Sequence, residues 1–155
     1  MAVDVFLGLG TNMGDKNQNL ADAIKHIESL IGAVVRQSGF LCTEPWGFVS
    51  ENAFLNAVVE VTTGMSPAEL LNATQKIERM MGRTKKSVDG VYADRLIDID
   101  ILLYGDEIID TPRLKVPHPL MCKRLFVMQP LAEIAPGKMF PGTDKSIKDI
   151  LDSIR

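Results

Sequence analysis

Residues 95–103 constrain this chain more than any other segment, because aspartates and branched apolar residues alternate along it: Arg-Leu-Ile-Asp-Ile-Asp-Ile-Leu-Leu. Side chains two positions apart lie on the same face of a β-strand. Asp98 and Asp100 therefore share one face, with Cα atoms about 6.6 Å apart. Aspartate is depleted in strands, and two like charges side by side repel each other. The pair predicts a divalent-cation site; the alternative is a strand whose polar face is merely solvated.

Length and composition indicate one globular domain over residues 1–155. Seventeen Lys and Arg against 20 Asp and Glu give a net charge of −3, so we expect no general electrostatic attraction to nucleic acid or anionic membrane. Cys42 and Cys122 are far apart, which argues against a zinc site or a CxxC pair and favours a reducing cytoplasm. No run of 18 apolar residues occurs, and we expect neither export nor membrane insertion.

Hydrophobic periodicity predicts elements in the order β, α, β, β, α, β, closed by a short helix over 147–154. The strands are predicted from Val3 into the segment 8–12 and over 33–41, 54–63 and 96–104, with a return strand over 107–110. One helix is predicted between Asp15 and Gly32. A second begins at Ser66, where a capping box and Pro67 coincide, and ends at Gly82. This order predicts an α+β fold in which helices cover one face of an antiparallel or mixed sheet.

The spacing of two groups of residues supports narrower expectations. Glycines at 8, 10 and 14 do not match the GxGxxG dinucleotide fingerprint, and we expect them to allow a tight turn from strand to helix. Along the second helix, the inner stripe is predicted to contain Leu70, Thr74, Ile77 and Met81. On that helical spacing Gln75, Glu78 and Arg79 are expected on its other faces.

Basic residues flank the two aspartates in two windows: Arg79, Arg83, Lys85, Lys86 and Arg95 before them, and Arg113, Lys115, Lys123 and Arg124 after them. Such clusters around a carboxylate pair suit a polyphosphate with its magnesium. Solvated surface charge is the alternative. His118 lies between Pro117 and Pro119 in the second window, where it is either a phosphate contact or a structural turn residue.

Aromatic and amide residues indicate where a flat heterocycle would bind. Trp46, Phe54, Tyr92 and Phe126 lie in or beside loops, and two such rings could hold a planar ligand between them. Asn56 lies within an apolar strand, where a buried amide requires partners. Core packing is the alternative for the phenylalanines.

These motifs together make the chain resemble the 6-hydroxymethyl-7,8-dihydropterin pyrophosphokinase family of folate biosynthesis over nearly its whole length. The resemblance is carried by Gly8-Leu9-Gly10-Thr11-Asn12, Thr43-Glu44-Pro45-Trp46-Gly47, Phe54-Leu55-Asn56-Ala57, the segment from Arg95 to Gly105, and Val116-Pro117-His118-Pro119-Leu120-Met121 with Arg124 and Phe126.

The resemblance implies a ferredoxin-like α/β sandwich, acting as a monomer, that transfers diphosphate from ATP to the pterin hydroxymethyl group and releases AMP. Asp98 and Asp100 would hold two Mg²⁺. The pterin would stack between Phe54 and Phe126, and Thr43, Asn56 and the backbone near Glu44 and Trp46 would read its edge. The implied ATP-side residues, several of them catalytic, are Gln75, Glu78, Arg83, Lys85, Tyr92, Arg95, Ile101, Arg113, Lys115, His118 and Arg124.

The loop from Gly82 to Asp94 departs from the family pattern. Tyr92 replaces the usual Trp, Ala93-Asp94 replaces Gly-Pro, and Lys85 stands where Arg is common. None of these changes removes the metal pair or the pterin contacts. The competing hypothesis from another class is a non-catalytic ferredoxin-like module that binds nucleotide or RNA.

Overall fold

The computed structural model describes residues 2–43, 53–82 and 96–155. Its longer strands are β1 (Val3–Thr11), β2 (Gly32–Gln37), β3 (Leu41–Thr43), β4 (Phe54–Thr63) and β5 (Asp98–Tyr104), followed by the short strands β6 (Ile109–Asp110) and β7 (Lys115–Val116). The helices are α1 (Lys16–Leu30), α2 (Pro67–Met80), α3 (Leu125–Ile134) and α4 (Ile147–Ile154), with a 3-10 turn at Met121–Lys123 before α3. None of the helices in the described ranges is long and apolar enough to cross a membrane.

The main sheet has the strand order β2-β4-β1-β5, with β3 also paired to β4, and each pairing is antiparallel. The strand predicted over 33–41 is divided into β2 and β3. Ser38, which is buried, marks the break: its hydroxyl accepts the backbone N–H of Val58 at 2.9 Å and donates to the carbonyl of Gly39 at 2.8 Å. Local side-chain hydrogen bonds of this kind compete with the strand ladder.

Helices cover both faces of the sheet, so the prediction of one covered face is wrong. One core cluster lies under α1 and α2 and includes Leu7, Ile27 and Ile77. The other lies under α3 and α4 and includes Phe6, Leu102 and Met128. Helix α3 was not predicted, because Pro130 interrupts an otherwise helical apolar pattern.

The start and end of α2 confirm the prediction. The Ser66 hydroxyl accepts the N–H of Glu69 at 3.2 Å, the Glu69 carboxylate accepts the N–H of Ser66 at 2.9 Å, and Pro67 begins the helix. Gly82 follows with φ +107°, a left-handed conformation that suits glycine. Gly32 follows Ile31, the C-cap of α1, so the predicted end of the first helix is confirmed. Gly32 also begins β2, where a Cβ would lie 2.0 Å from the carbonyl oxygen of Thr62.

The return strand predicted over 107–110 does not pair with β5. Its second half forms β6, which pairs with β7 through Ile109 and Val116 and through Asp110 and Lys115. The two-stranded unit adjoins β5, because the backbone N–H of His118 donates to the carbonyl of Leu102 at 3.1 Å. The chain segment that carries His118 is thereby fixed to the outer edge of β5.

Candidate active site

Asp98 and Asp100 lie on one face of β5, as their spacing predicts. Asp98 is half-buried and Asp100 is exposed, whereas Ile99 is buried on the opposite face. Among the described residues no group of three or more His, Cys, Asp or Glu side chains could hold a metal ion. Mg²⁺ commonly uses one or two carboxylates and completes its shell with water and substrate phosphates. The two hard oxygen donors on one face therefore fit magnesium that arrives with a nucleotide.

Gly8 and Gly10 lie inside β1, and the prediction that they form a turn is wrong. In register, Gly10 is opposite Asp98 on one side and Asn56 on the other, and Gly8 is opposite Asp100 and Val58. Glycine inside a strand often marks close approach of a ligand or of another chain segment. The alternation of glycine with apolar residues was the available sequence signal for this role.

Asn56 and Phe54 continue the same face on β4. Asn56 is buried, and its amide nitrogen lies 3.5 Å from the carbonyl oxygen of Leu41 on β3. A Cβ on Gly10 would lie 3.1 Å from Oδ1 of Asn56 and 3.9 Å from Cδ1 of Phe54. The Phe54 ring and the Asn56 amide of β4 and the Asp98 carboxylate of β5 therefore lie on either side of Gly10 of β1.

His118 presents a defined ring nitrogen. Nδ1 lies 3.3 Å from the backbone nitrogen of Leu120 and accepts its N–H, so the proton of the neutral ring resides on Nε2. Burial lowers the pKa of His118, the Asp100 carboxylate raises it, and the Arg124 guanidinium lowers it further. The pKa of His118 is thus below its ordinary value, which favours a neutral imidazole at pH 7 with an N–H to donate.

Arg124 and Phe126 form one unit at the start of α3. The guanidinium carbon of Arg124 lies 5.5 Å from the centroid of the Phe126 ring, a cation–π distance. Phe126 is partly buried against the core cluster beneath α3. Because α3 covers the sheet face that carries Val58 and Leu102, Arg124 and Phe126 lie on the same side of the sheet as Asn56 and Asp98.

Three other predicted ATP-side residues lie on α2 or on the segment 113–115. Arg113 donates to Oδ1 of Asn72 on α2 at 3.0 Å, and Lys115 pairs with Asp110. Gln75 is exposed on α2. Between the start of α2 and the segment 109–114 is a mainly apolar cavity of about 520 Å³, which Leu71, Arg113 and Leu114 help to line. Ile101 is 5% exposed, and its side chain belongs to the core.

Glu78 occupies a place that the helical pattern did not predict. It was expected away from the inner stripe of α2, but it is 6% exposed, and its Oε2 accepts the backbone N–H of Ile99 at 2.9 Å. Glu78 follows the buried Ile77 directly, and nothing in the neighbouring sequence indicates that its carboxylate contacts Ile99. The pairing depends on how α2 packs beside β5.

Some predicted residues lie outside the described ranges: Glu44, Trp46, Arg83, Lys85, Tyr92 and Arg95. Thr43 is described as part of β3, where its backbone pairs with Phe54. The roles assigned to all of these residues stay predictions.

Comparison with known proteins gives a consistent result. Residues 6–136 match the family model of 7,8-dihydro-6-hydroxymethylpterin-pyrophosphokinase. The 2-amino-4-hydroxy-6-hydroxymethyldihydropteridine pyrophosphokinase of Porphyromonas gingivalis is 47% identical over 133 residues, covering 85% of this chain and 90% of its own. The Aquifex aeolicus protein of the same name is 41% identical over 145 residues, covering 94% and 88%.

A solved structure supports the fold independently of sequence. Plasmodium falciparum HPPK-DHPS with pteroate superposes with a TM-score of 0.79 over 99% of this chain, at 16% identity. This chain spans 42% of that longer protein. The match supports the ferredoxin-like arrangement predicted from the resemblance.

Proposed function

The chain belongs to the 7,8-dihydro-6-hydroxymethylpterin-pyrophosphokinase family, and on that premise we propose how its described residues perform the reaction. The reaction is transfer of diphosphate from ATP to the hydroxymethyl group of 6-hydroxymethyl-7,8-dihydropterin, with release of AMP, in folate biosynthesis. The substrate oxygen forms a bond to the β-phosphorus, and the bond from that phosphorus to the oxygen bridging it to the α-phosphorus breaks. The bridging oxygen leaves on AMP with the electron pair, and the hydroxyl proton passes to water. A non-catalytic binding module is not favoured by these relationships.

We place the pterin on the face shared by β4, β1 and β5. Phe54 and Asn56 lie beside Gly10, which has no side chain to fill the space between them. A ring stacked on Phe54 would meet the Asn56 amide at its polar edge, and Phe126 at the start of α3 would supply the second ring. Thr43 and the backbone near Glu44 and Trp46 complete the proposed pterin contacts.

We place the triphosphate along β5 and the following segment. Asp98 and Asp100 would hold two Mg²⁺, which neutralise the phosphate oxygens and make the β-phosphorus a better electrophile. The Nε2–H of His118 donates to a phosphate oxygen, and the guanidinium of Arg124 adds positive charge on the same side. Arg83, Lys85 and Arg95 are assigned to the same task from the family motif.

We place the nucleoside toward α2, where the apolar cavity adjoins Arg113 and Leu114. A volume of about 520 Å³ is ample for a purine. The remaining residues assigned to the ATP side are Gln75, Lys115, Tyr92 and the strand at Ile101. Glu78, which the resemblance also placed there, contacts the backbone of β5 instead. This arrangement puts the base on the α2 side of β5 and the transferred group on the aspartate side.

No protein nucleophile is required for this transfer. The chemistry depends on positioning the alcohol in line with the leaving oxygen and on stabilising charge. Asp98 lies opposite Gly10 on the neighbouring strand, between the regions that we propose for the pterin and the triphosphate, and we assign it to orient the hydroxymethyl oxygen. We further propose that the enzyme acts as a monomer in the cytoplasm, an assignment that rests on the family resemblance and, for the compartment, on the widely separated cysteines.

The main support for this site is the register of three neighbouring strands, in which Gly10 lies between Asn56 and Asp98. The test is AMP production from ATP with and without the hydroxymethyl pterin and Mg²⁺. We expect AMP only when all three are present, and loss of at least about 100-fold in rate for Asp98→Ala. Asp144→Ala, an exposed aspartate outside the site, is the matched control. Full activity of a folded Asp98→Ala variant would refute the placement of the metal.

A further inference from the structure

The contact between Glu78 and Ile99 assigns Glu78 a task other than touching ATP. We propose that Glu78 is a positioning residue that fixes the backbone of β5 between the two aspartates and so sets their separation for metal binding. This inference rests on the proposed function, since the aspartates are assigned to Mg²⁺ there.

The hydrogen-bonding pattern of β5 shows why the contact matters. In an antiparallel pair, residues alternate between hydrogen bonding to the neighbouring strand and pointing their N–H and C=O away from it. The N–H of Ile99 points away from β1, because it donates to Glu78. By alternation, Asp98 and Asp100 direct their backbone groups to Gly10 and Gly8 of β1. Three successive residues of β5 are thus held from its two sides.

Strand β5 needs such support because it lies at one end of the strand order β2-β4-β1-β5. An edge strand presents backbone groups that have no neighbouring strand to pair with. Along the outer edge of β5, the Glu78 carboxylate receives the N–H of Ile99, and the N–H of His118 donates to the carbonyl of Leu102. These contacts take the place of strand pairing along the outer edge of β5.

The position of Glu78 is itself rigid. Ile77, the residue before it, is fully buried and belongs to the same core cluster as Ile97, Ile99 and Ile101. Packing of these side chains fixes the distance between α2 and β5, and the carboxylate reaches the backbone across that distance. A buried carboxylate that held no such bond would carry a large desolvation penalty.

Two substitutions distinguish the hydrogen-bond acceptor of Glu78 from its negative charge. Glu78→Gln keeps an acceptor oxygen at the same distance and removes the charge, whereas Glu78→Ala removes both. If the role is to hold the Ile99 N–H, the glutamine variant retains cation binding and the alanine variant loses it. Lys76→Ala, an exposed change on the same helix, is the matched control for effects on α2.

The experiment measures Mn²⁺ affinity by electron paramagnetic resonance in the full chain with α,β-methylene-ATP, whose methylene bridge prevents the transfer. We expect Glu78→Ala to weaken Mn²⁺ binding about 10–100-fold, the effect typical of removing an outer-shell partner. Glu78→Gln and Lys76→Ala should stay within about threefold of the wild type. Hydrogen exchange of the Ile99 amide should accelerate in Glu78→Ala alone, which tests the contact directly.

The results distinguish failure of the positioning role from failure of the proposed function. Wild-type Mn²⁺ affinity in a folded Glu78→Ala variant would overturn the positioning role and leave the proposed function intact. Equal weakening in the glutamine and alanine variants would overturn the acceptor role, because charge alone would then explain the effect. If the wild-type chain neither binds Mn²⁺ with the nucleotide analogue nor releases AMP from ATP, the proposed function itself fails.

Discussion

A Cβ atom built on Gly10 would lie 3.1 Å from Oδ1 of Asn56, closer than side chains normally tolerate. The substitution Gly10→Ala is therefore expected to displace the Asn56 amide that the proposed function assigns to the pterin edge. We expect the pterin KM to rise about tenfold, corresponding to about 1.4 kcal/mol of lost binding, while the ATP KM stays nearly unchanged. Steady-state kinetics with each substrate varied in turn measures the difference.

The control for this change is Gly64→Ala. Gly64 is exposed, and a Cβ there would meet nothing within 4 Å. Both KM values should equal those of the wild type. An equal rise in both KM values for Gly10→Ala would show that the change disturbs the fold of the site rather than the pterin contact.

His118 gives a prediction about the two nitrogens of one ring. Its Nδ1 accepts the N–H of Leu120, and Nε2–H is assigned to phosphate. Glutamine can place an amide N–H near the position of Nε2, whereas asparagine reaches only to the position of Nδ1. We expect His118→Gln to retain more activity than His118→Asn, which should lose about 10–100-fold in kcat/KM because a hydrogen bond to a charged group is lost. The reverse order would contradict the assignment of Nε2 to phosphate.

The capping box of α2 predicts a pH dependence of stability. Hydrogen bonds from Ser66 lower the pKa of Glu69 below its ordinary value. A carboxyl whose pKa is lower in the folded state stabilises the protein above the unfolded pKa and loses that effect as the pH falls through the folded value. The stability difference between wild type and Glu69→Ala, from urea unfolding between about pH 7 and pH 3, should shrink toward acid. A difference that grows toward acid would contradict the capping role.

The core cluster under α3 and α4 predicts a large loss of stability when Leu102, which lies outside the proposed substrate sites, is shortened. Leu102 is 1% exposed and packs beneath α3 and α4 beside the space left by Gly8. Leu102→Ala should lower the free energy of unfolding by about 2–5 kcal/mol. Ile108→Ala, at a position 65% exposed, should change it by less than about 0.5 kcal/mol. Similar values for the two variants would mean that α3 and α4 do not pack on this face.

The sequence predicted what depends on short-range spacing. Alternation alone placed Asp98 and Asp100 on one face, and the capping box placed the start of α2, because both patterns depend on neighbours within four positions. The prediction that Gly8 and Gly10 form a turn was wrong because their role depends on strands that are distant in sequence. Their role appears only when β4 and β5 lie on either side of β1.

Features set by tertiary packing were not predictable from the local pattern. Glu78 is one position from the buried Ile77, and nothing near it in sequence indicates that Ile99 will supply its hydrogen-bond donor. Helix α3 contains Pro130, a residue that normally interrupts a helix, yet Pro130 is buried within it. The pairing of β6 with β7 rather than with β5 likewise depends on the route of the following chain.

The central position of β1 also determines the order in which the protein can assemble. Its partners β4 and β5 follow it by about 50 and 90 residues, so the sheet forms by closing long loops, a topology that slows folding. During synthesis, the glycines of β1 emerge from the ribosome well before Asn56, and Asp98 joins them later still. The groups that we assign to the two substrates therefore come together only after most of the chain has been made, and a nascent chain cannot bind both substrates early.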